Sequence, residues 1–211
     1  MRNIIVATTN IGKFEEIKSV LKHEFDTFYS LLDFPDHIEV EEDSMFYIEN
    51  ALKKARKIGD RYGFYTIADD SGLEVDALGG RPGVFSSRYG KNDEDRIKRL
   101  LNELREVPWN KRRAIFKAYV TCYVPAKEIS YVFYGHLKGF IGFEKVGEGG
   151  FGYDPVFFVP GLNKYVAELT REEKNRISHR GRALEAFKNF IKGDIFSNSR
   201  ALNRDIIELS F

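Results

Sequence analysis

The sequence predicts a single mixed α/β domain, and three observations lead to that fold class. Short apolar runs of strand length alternate with longer segments in which apolar residues recur at helical spacing. The first of two neighbouring strand-like runs in the second half instead alternates apolar and polar residues with a period of two. The 211 residues contain no repeat and no proline- or serine-rich linker, so we expect one domain.

The first third of the chain is predicted to hold two strands and two helices. Four consecutive apolar residues, Ile4 to Ala7, are typical of a short buried strand. A later segment has the i, i+3, i+4, i+7 spacing of an amphipathic helix, at Ile48, Ala51, Leu52, Ala55 and Ile58. The predicted ranges are a strand at 3–8, a turn at 9–12, a helix at 13–21, a strand at 25–32, an acidic loop at 39–43 and a helix at 45–63.

The middle of the chain is predicted to contain a strand, a loop, a helix and a hairpin. A short strand at 65–68 is expected to end directly on Asp69. Glycines and prolines mark 79–90 as a loop, which precedes a helix at 93–104. The two strand-like runs, 114–124 and 129–137, are joined by only four residues, which predicts an antiparallel pair.

The last part of the chain is predicted to form a strand at 156–159 and one final helix. Thr170, followed three residues later by a glutamate, is the capping box that opens this helix, and Gly193 is expected to end it. Residues 1–193 are therefore assigned to the domain. Residues 194–211 are a weakly patterned C-terminal extension to which the sequence assigns no role.

Composition excludes several classes of partner. The net charge is +1, from 33 basic and 32 acidic residues, so we expect no nucleic-acid partner and any anion site must be local. No apolar run approaches the roughly 20 residues of a membrane span, and the N-terminal run is too short for a signal peptide. The single cysteine, Cys122, fits a reducing compartment. We therefore expect a cytoplasmic protein with no membrane partner.

The turn after the first strand is a candidate anion site. It consists of Thr8, Thr9, Asn10, Ile11, Gly12 and Lys13. A strand that leads through a polar turn into a helix presents backbone N–H groups at the helix N-terminus, and Lys13 adds a full positive charge. The alternative is a helix cap followed by a solvated lysine.

The sequence Asp69-Asp70-Ser71-Gly72 is a candidate metal site. Two adjacent carboxylates at the end of a buried strand repel each other unless a cation or hydrogen-bond donors compensate. Mg²⁺ typically takes one or two carboxylates together with phosphate oxygens. A second acidic ligand could come from the charge run near residue 42, with Glu42 as the first choice and Glu39 as the alternative. The competing interpretation of the aspartate pair is an ordinary turn that caps a strand.

Two segments in the last third are candidates for contact with a nucleobase. In the glycine-rich stretch 149–154, Phe151 and Tyr153 offer ring faces. The first turns of the final helix carry Lys174, Ser178, His179 and Arg180, which could contact a purine edge or a phosphate. Each segment also has a purely structural interpretation, as core aromatics in a loop and as surface cations on a helix.

Taken together, four blocks of the sequence resemble the inosine-triphosphate pyrophosphatase family. They are TTNIGKFEEI, ADDSGLEVDALGGRPGVFSSRYG, GGFGYDPVFFVPG and ELTREEKNRISHRGRAL, in the order that the family shows. The resemblance extends from Asn3 to about Phe190. It implies one elongated, two-lobed domain with a central mixed β-sheet flanked by helices, an active-site cleft between the lobes, and a homodimer.

The resemblance also implies a reaction and a role for each candidate residue. Water attacks the α-phosphorus of a nucleoside triphosphate such as ITP, dITP or XTP, and pyrophosphate leaves. Asp70 is implied as general base and Mg²⁺ ligand, with Glu42 as the second metal ligand and Ser71 beside the substrate. Thr8 to Lys13 are implied to hold the triphosphate. The residues implied around the base and sugar are Phe151, Gly152, Tyr153, Asp154, Lys174, His179 and Arg180.

Two alternatives to this function remain at the level of the sequence. A pyrophosphatase for other modified nucleotides, such as modified pyrimidines, could use similar carboxylate and lysine groups. A nucleotide-sensing or RNA-binding module is the non-catalytic alternative. The near-neutral net charge argues against RNA, and the Asp69–Asp70 pair argues against a site that only binds anions.

Overall fold

The computed structural model describes residues 3–192, together with the backbone of residues 206–209. The described strands are β1 Asn3–Val6, β2 Thr27–Ser30, β3 Tyr65–Val75, β4 Pro82–Gly83, β5 Arg113–Val124, β6 Ile129–Ile141, β7 Phe157–Val159, β8 Lys164–Tyr165 and β9 Ile206–Leu209. The described helices are α1 Ile11–Leu21, α2 Tyr47–Tyr62, α3 Asp93–Glu103, α4 Arg171–Ile177 and α5 His179–Lys192. No helix in the described part of the chain is long and apolar enough to cross a membrane.

The strands form one mixed sheet. Its order is β2-β1-β3-β5-β6-β7-β8, with β4 paired to β3 and β9 paired to β6. The first strand runs parallel to both of its neighbours, whereas β7 runs antiparallel to both β6 and β8. Because β5 and β6 are adjacent and joined by only four residues, they form the predicted hairpin. The predicted α/β class with a central mixed sheet flanked by helices is confirmed.

The chain divides into two compact units, each with its own core. Unit 1 comprises Met1–Asp70, Ala118–Gly135 and Arg180–Phe211, and unit 2 comprises Ser71–Lys117 and His136–His179. The long strands β3, β5 and β6 contribute residues to both units.

In unit 1 the sheet is covered on both faces. Ile4 and Val6 of β1 pack with residues of α1 and α5, including Ile17 and Phe187. Ile5, which lies between them, packs on the other face with α2, for example against Ile58. Side chains alternate between the two faces of a strand, so a parallel strand buried on both sides is apolar throughout. This burial explains the unbroken apolar run at the N-terminus.

Unit 2 is organised around α3 and a buried arginine. Ile97 and Leu100 of α3 pack with residues from β3, β5 and β6. Arg112 is 1% exposed, and its guanidinium donates to the carbonyl oxygens of Leu104 at 2.7 Å and Ile141 at 2.8 Å. These bonds fix the end of α3 to the end of β6, and they satisfy a cation that would otherwise be costly to bury.

Two element predictions were wrong in a way that bears on the site. The strand expected at 65–68 continues to Val75, so Asp69 and Asp70 lie inside β3 and not at its end. The single final helix is two helices, because the backbone of Ser178 is extended, with φ −65° and ψ 157°. Serine is tolerated inside a helix and favoured at its ends, so the apolar pattern alone does not reveal this break.

The C-terminal extension is only partly described. The backbone of β9 pairs antiparallel with β6, with Ser130 opposite Leu209 and Phe133 opposite Ile206. Gly193, the predicted end of the final helix, lies outside the described residues. Residues 194–205 and 210–211 also lie outside them.

Candidate functional site

Asp69 is the centre of a buried ion-pair network in unit 1. It is 5% exposed, and its Oδ2 lies 2.9 Å from Nζ of Lys13 and 2.9 Å from a terminal nitrogen of Arg180. Arg180, itself 2% exposed, also pairs with Glu16 of α1 at 2.5 Å. Two carboxylates and two cations therefore neutralise one another beside the N-terminus of α1.

The charges of this network are fixed by their mutual contacts. Burial by itself would raise the pKa of Asp69, but the charges of Arg180 and Lys13 outweigh burial and hold that pKa well below its usual range. Burial would lower the pKa of Arg180, but Asp69 and Glu16 reverse this effect and raise it. Both groups are therefore ionised throughout the neutral pH range.

The predicted anion-binding turn is a capped helix N-terminus. Helix α1 begins at Ile11, and the side chain of Asn10 accepts the backbone N–H of Lys13 at 2.9 Å. The Thr8 hydroxyl oxygen in turn accepts the N–H of Asn10 at 3.1 Å. The first N–H groups of a helix lack acceptors within the helix, so those of Ile11 and Gly12 are suited to an anion. Thr9 lies between the two capping residues and is exposed.

Asp70 occupies a different environment from its neighbour. It is 5% exposed, and its Oδ2 accepts a hydrogen bond from Nδ2 of Asn50 at 3.0 Å. Burial raises its pKa to about 6, although the Asn50 hydrogen bond and the charge of Lys13 act in the opposite direction. The negative charge of Glu42 contributes to the increase. A carboxyl group with a pKa near neutrality is suited to accept and release a proton.

Glu42 is the acidic residue of the charge run that influences Asp70. Its carboxylate forms an ion pair with Lys54 of α2, and both charges affect the pKa of Asp70. Glu39, the alternative, contributes a contact through its backbone carbonyl, which accepts from Lys57 at 3.4 Å. This arrangement favours Glu42 as the second carboxylate. Ser71 follows Asp70 in β3 and is half-buried.

A second cluster of predicted residues lies in unit 2. Asp154 is 4% exposed and accepts at Oδ2 both the Lys174 ammonium, at 2.5 Å, and the Phe151 N–H, at 2.9 Å. The Lys174 nitrogen lies 4.5 Å from the centroid of the Phe151 ring, within cation–π range. Gly150 has φ +74°, and an added Cβ would lie 2.2 Å from Oδ2 of Asp154. Only glycine therefore allows the loop to wrap so closely around this carboxylate.

The other predicted residues of unit 2 are firmly held. Tyr153 is a core residue, 5% exposed, whose hydroxyl donates to the carbonyl of Ser86 at 2.9 Å. The N–H of Gly152 donates to Oδ2 of Asp93 at 2.7 Å. His179 is buried and its ring stacks on Phe116, with centroids 4.7 Å apart and planes 10° apart.

The structure therefore sorts the predicted residues into two groups. Thr8 to Lys13, Asp70, Glu42 and Arg180 belong to unit 1, and the residues from Phe151 to Asp154, Lys174 and His179 belong to unit 2. Arg180 was grouped with Lys174 in the sequence, but its guanidinium pairs with Asp69 and Glu16. The break at Ser178 separates the two residues into different helices.

Sequence reasoning missed several residues that contact one or the other of these two groups. Among them are Glu16, Asn50, Lys54 and Asp93. For Asn50 a signal existed, because it is a polar residue next to Ala51 on the apolar face of α2. Glu16 likewise adjoins Ile17, which lies on the buried face of α1. A charged or amide side chain on an apolar face indicates a specific buried partner.

The chain is similar to known proteins over most of its length. Residues 4–190 match the model of the Ham1 family. A "dITP/XTP pyrophosphatase" from Halalkalibacterium halodurans is 44% identical over 194 residues, which cover 90% of this chain and 100% of that protein. A protein of the same description from Geobacter sulfurreducens is 47% identical, over 90% of this chain and 97% of that protein. The structure of a HAM1 protein from Coxiella burnetii superposes on this chain with a TM-score of 0.81 at 35% identity. The match covers 92% of this chain and 100% of that one.

Proposed function

The chain belongs to the Ham1 family, and from that premise we propose that it is a nucleoside-triphosphate pyrophosphatase that acts on deaminated purine nucleotides. Its substrates are ITP, dITP and XTP, and its products are the nucleoside monophosphate and pyrophosphate. The names of the curated relatives support this substrate class. By removing these nucleotides the enzyme keeps them out of the pool from which nucleic acids are made.

The single observation that carries the proposal is the environment of Asp70. A buried carboxyl group with a pKa near 6, oriented by Asn50 and close to the charges of Lys13 and Glu42, suits a general base. Asp70 accepts a proton from water as the water oxygen forms a bond to the α-phosphorus. The bond from that phosphorus to the bridging oxygen breaks, and pyrophosphate carries away the electron pair.

The residues around Asp70 fit Mg²⁺. The charge of Glu42 raises the pKa of Asp70, which reports a repulsion between two carboxylates that a divalent cation relieves. The described residues contain no cluster of three or more His, Cys, Asp or Glu side chains that could hold a metal alone. Mg²⁺ requires no such cage, because it usually combines one or two carboxylates with substrate phosphate oxygens. When bound, it neutralises charge on the phosphates. Asp70 and Glu42 are the residues that would hold it.

The segment from Thr8 to Lys13 holds the triphosphate in this proposal. The N–H groups of Ile11 and Gly12 and the Lys13 ammonium supply positive potential, and Ser71 lies beside the substrate. Phosphoryl transfer depends mainly on positioning and neutralisation of charge, so these groups contribute directly to rate.

The base and sugar are assigned to the unit 2 cluster. Phe151 offers a ring face, and Lys174 is held by Asp154 as a donor for a keto oxygen. Gly152 and Tyr153 shape the loop, and His179 is fixed by its stacking on Phe116. Arg180 serves through the network that keeps Asp69 ionised.

The proposal includes a cytoplasmic homodimer. Cys122 is buried, and burial raises its pKa to about 12, so it stays a neutral thiol of low reactivity. Light scattering of the purified full-length chain, after size-exclusion chromatography, tests the dimer by its mass.

A nucleotide panel tests the proposed reaction. ITP, dITP, XTP, ATP, GTP and a modified pyrimidine triphosphate are each incubated with the enzyme and Mg²⁺, and pyrophosphate and orthophosphate are assayed separately. We expect pyrophosphate and monophosphate from ITP, dITP and XTP. Release of orthophosphate with a diphosphate intermediate contradicts the bond assigned to cleavage. Turnover of only the pyrimidine, or binding without turnover, contradicts the substrate class or the catalytic role.

A further inference from the structure

The buried amide of Asn50 contacts both Asp70 and the loop that carries Glu42. Asn50 is 1% exposed on the inner face of α2, and its Nδ2 donates to Oδ2 of Asp70 at 3.0 Å. The same side chain forms two hydrogen bonds with the backbone of Ser44. Its Oδ1 accepts the Ser44 N–H at 3.0 Å, and its Nδ2 donates to the Ser44 carbonyl at 3.1 Å. Ser44 follows Glu42 by two residues, so Asn50 contacts both Asp70 and the loop that carries Glu42.

The two bonds to Ser44 determine which way the amide faces. The Ser44 backbone presents one donor and one acceptor, so Oδ1 of Asn50 must meet the N–H and Nδ2 must meet the carbonyl. A flipped amide would oppose donor to donor and acceptor to acceptor. An amide nitrogen has two N–H groups, and the second is directed to Asp70. Both donors of Asn50 are therefore used, which makes it a rigid link.

We propose that Asn50 is a positioning residue that sets the orientation of the Asp70 carboxylate and its separation from Glu42. This inference rests on the proposed function, in which Asp70 takes a proton from water. The hydrogen bond to Oδ2 restricts rotation of the carboxylate about its Cβ–Cγ bond. The bonds to Ser44 hold the Glu42 loop against the same amide. Misplacement of a catalytic group by about 1 Å can cost roughly 10²-fold in rate, so the effect of this link is measurable.

The first test compares Asn50→Ala with Ser44→Ala. We expect Asn50→Ala to lower kcat for ITP at saturating Mg²⁺ by about 10-fold to 100-fold. Its KM should change by less than about threefold, because the groups assigned to substrate binding are intact. Ser44→Ala removes a hydroxyl that donates to Glu49 and accepts the Phe46 N–H, but it keeps both backbone bonds to Asn50, so its kcat should match that of the wild type. An unchanged kcat for a folded Asn50→Ala variant overturns the proposal, as does a change confined to KM.

A double-mutant cycle with Asp70→Asn separates positioning from general structural damage. If Asn50 acts through Asp70, adding Asn50→Ala to Asp70→Asn should lower the residual kcat by no more than about twofold. An equal loss in both backgrounds overturns the Asn50 proposal and leaves the base assignment standing. Wild-type kcat in Asp70→Asn alone removes the base assignment, and with it this inference.

A second variant covers the case in which Asn50→Ala does not fold. Asn50→Asp keeps the size of the side chain and the acceptor for the Ser44 N–H, but it replaces the nitrogen that donates to Asp70 and to the Ser44 carbonyl with an oxygen. Circular dichroism and thermal unfolding establish that the variant is folded. We expect it to lose at least as much kcat as the alanine variant, because a carboxylate repels Asp70. A folded Asn50→Asp enzyme with wild-type kcat overturns the proposal.

Discussion

Asp69 and Asp70 are consecutive residues of β3, but their carboxylates have different partners and their pKa values shift in opposite directions. Asp69 contacts Lys13 and Arg180, whereas Asp70 contacts Asn50 of α2. Successive side chains of a strand point in opposite directions, so the two carboxylates meet different neighbouring elements. Ion pairing lowers the pKa of Asp69 and burial raises that of Asp70. Asp69 is therefore held by ion pairs, whereas Asp70 is the carboxylate that we propose as the base.

Replacing Asp70 should remove activity without removing the fold. Asp70→Asn is nearly isosteric, but it eliminates the proposed general base and one proposed ligand for Mg²⁺, so kcat should fall by about 10²–10⁴-fold or more. Steady-state kinetics with ITP measure the effect. Asp95→Asn, on the exposed face of α3, is the matched control and should retain wild-type kcat. A kcat above about a tenth of wild type in Asp70→Asn would show that another group is the base.

The same substitution should stabilise the metal-free protein at neutral pH. Burial raises the pKa of Asp70 from 3.8 to about 6, so the ionised carboxylate penalises the folded state at pH 7.5. This difference in pKa corresponds to about 3 kcal/mol, an upper estimate for the gain in the free energy of unfolding of Asp70→Asn. The penalty fades as the pH falls through 6 and is absent below about 4, where the carboxyl is protonated in both states. Urea unfolding in EDTA at pH 7.5 and pH 4 measures it. A variant no more stable than wild type at pH 7.5 would contradict the pKa assigned to Asp70.

Replacing Asp69 should have the opposite effect on stability. Asp69→Asn leaves Lys13 and Arg180 without the carboxylate they share, and breaking a buried ion pair costs about 3 kcal/mol or more. Because the folded-state pKa of Asp69 is lowered, its contribution is complete above about pH 4 and is lost as the pH falls further. Urea unfolding of wild type and variant from pH 7 to pH 2.5 should show their difference shrinking toward low pH. A constant difference over that range would mean that packing, and not charge, accounts for the loss.

The fold was predictable because the burial of one face of an element requires apolar residues at a regular spacing in the sequence. The apolar run of β1 and the spacing of α2 both report which faces are covered. The site was less predictable, because its key relationships lie between elements that are distant along the chain. Their adjacency in the sequence suggested that Asp69 and Asp70 form one charged pair. In the structure Asp69 is neutralised by Arg180, which lies 111 residues further along the chain. The break at Ser178 and the contacts of Asn50 likewise depend on tertiary partners that periodicity does not encode.

Lys13 should matter for the triphosphate more than for stability. Its side chain is 22% exposed and its ammonium lies beside Asp69, which also keeps Arg180 as a partner. Lys13→Ala should therefore lower kcat/KM for ITP by about 10-fold or more through lost neutralisation of phosphate charge. Lys22→Ala, at the other end of α1 and exposed, is the matched control. Thermal unfolding checks that both variants fold. A wild-type kcat/KM in Lys13→Ala would identify Lys13 as a partner of Asp69 alone.

The enzyme should prefer ITP and XTP strongly over ATP. Hypoxanthine and xanthine carry an acceptor oxygen at C6, where adenine carries an amino donor. The N–H groups of Phe151 and Gly152 already donate to Asp154 and Asp93, so the donor for that oxygen is expected to be Lys174. With adenine, a donor would face a donor, and sites built on buried hydrogen bonds can discriminate by about 10⁴–10⁵-fold. Guanine shares the C6 oxygen, and its exclusion requires a separate contact that opposes the 2-amino group.

Kinetics with four triphosphates test this base preference, with Lys174→Met as the diagnostic variant. The methionine keeps the length of the side chain but removes its donors, so the ratio of kcat/KM for ITP to that for ATP should fall by at least about 10-fold. Lys188→Met, on the outer part of α5, is the control and should leave the ratio unchanged. A wild-type ratio below about tenfold would contradict the argument from the C6 oxygen. An unchanged ratio in Lys174→Met would contradict only the donor assigned to it. Efficient turnover of GTP by the wild type would show that the enzyme does not recognise the substituent at the 2-position of the purine. That result would leave the C6 contact as the explanation for discrimination against ATP.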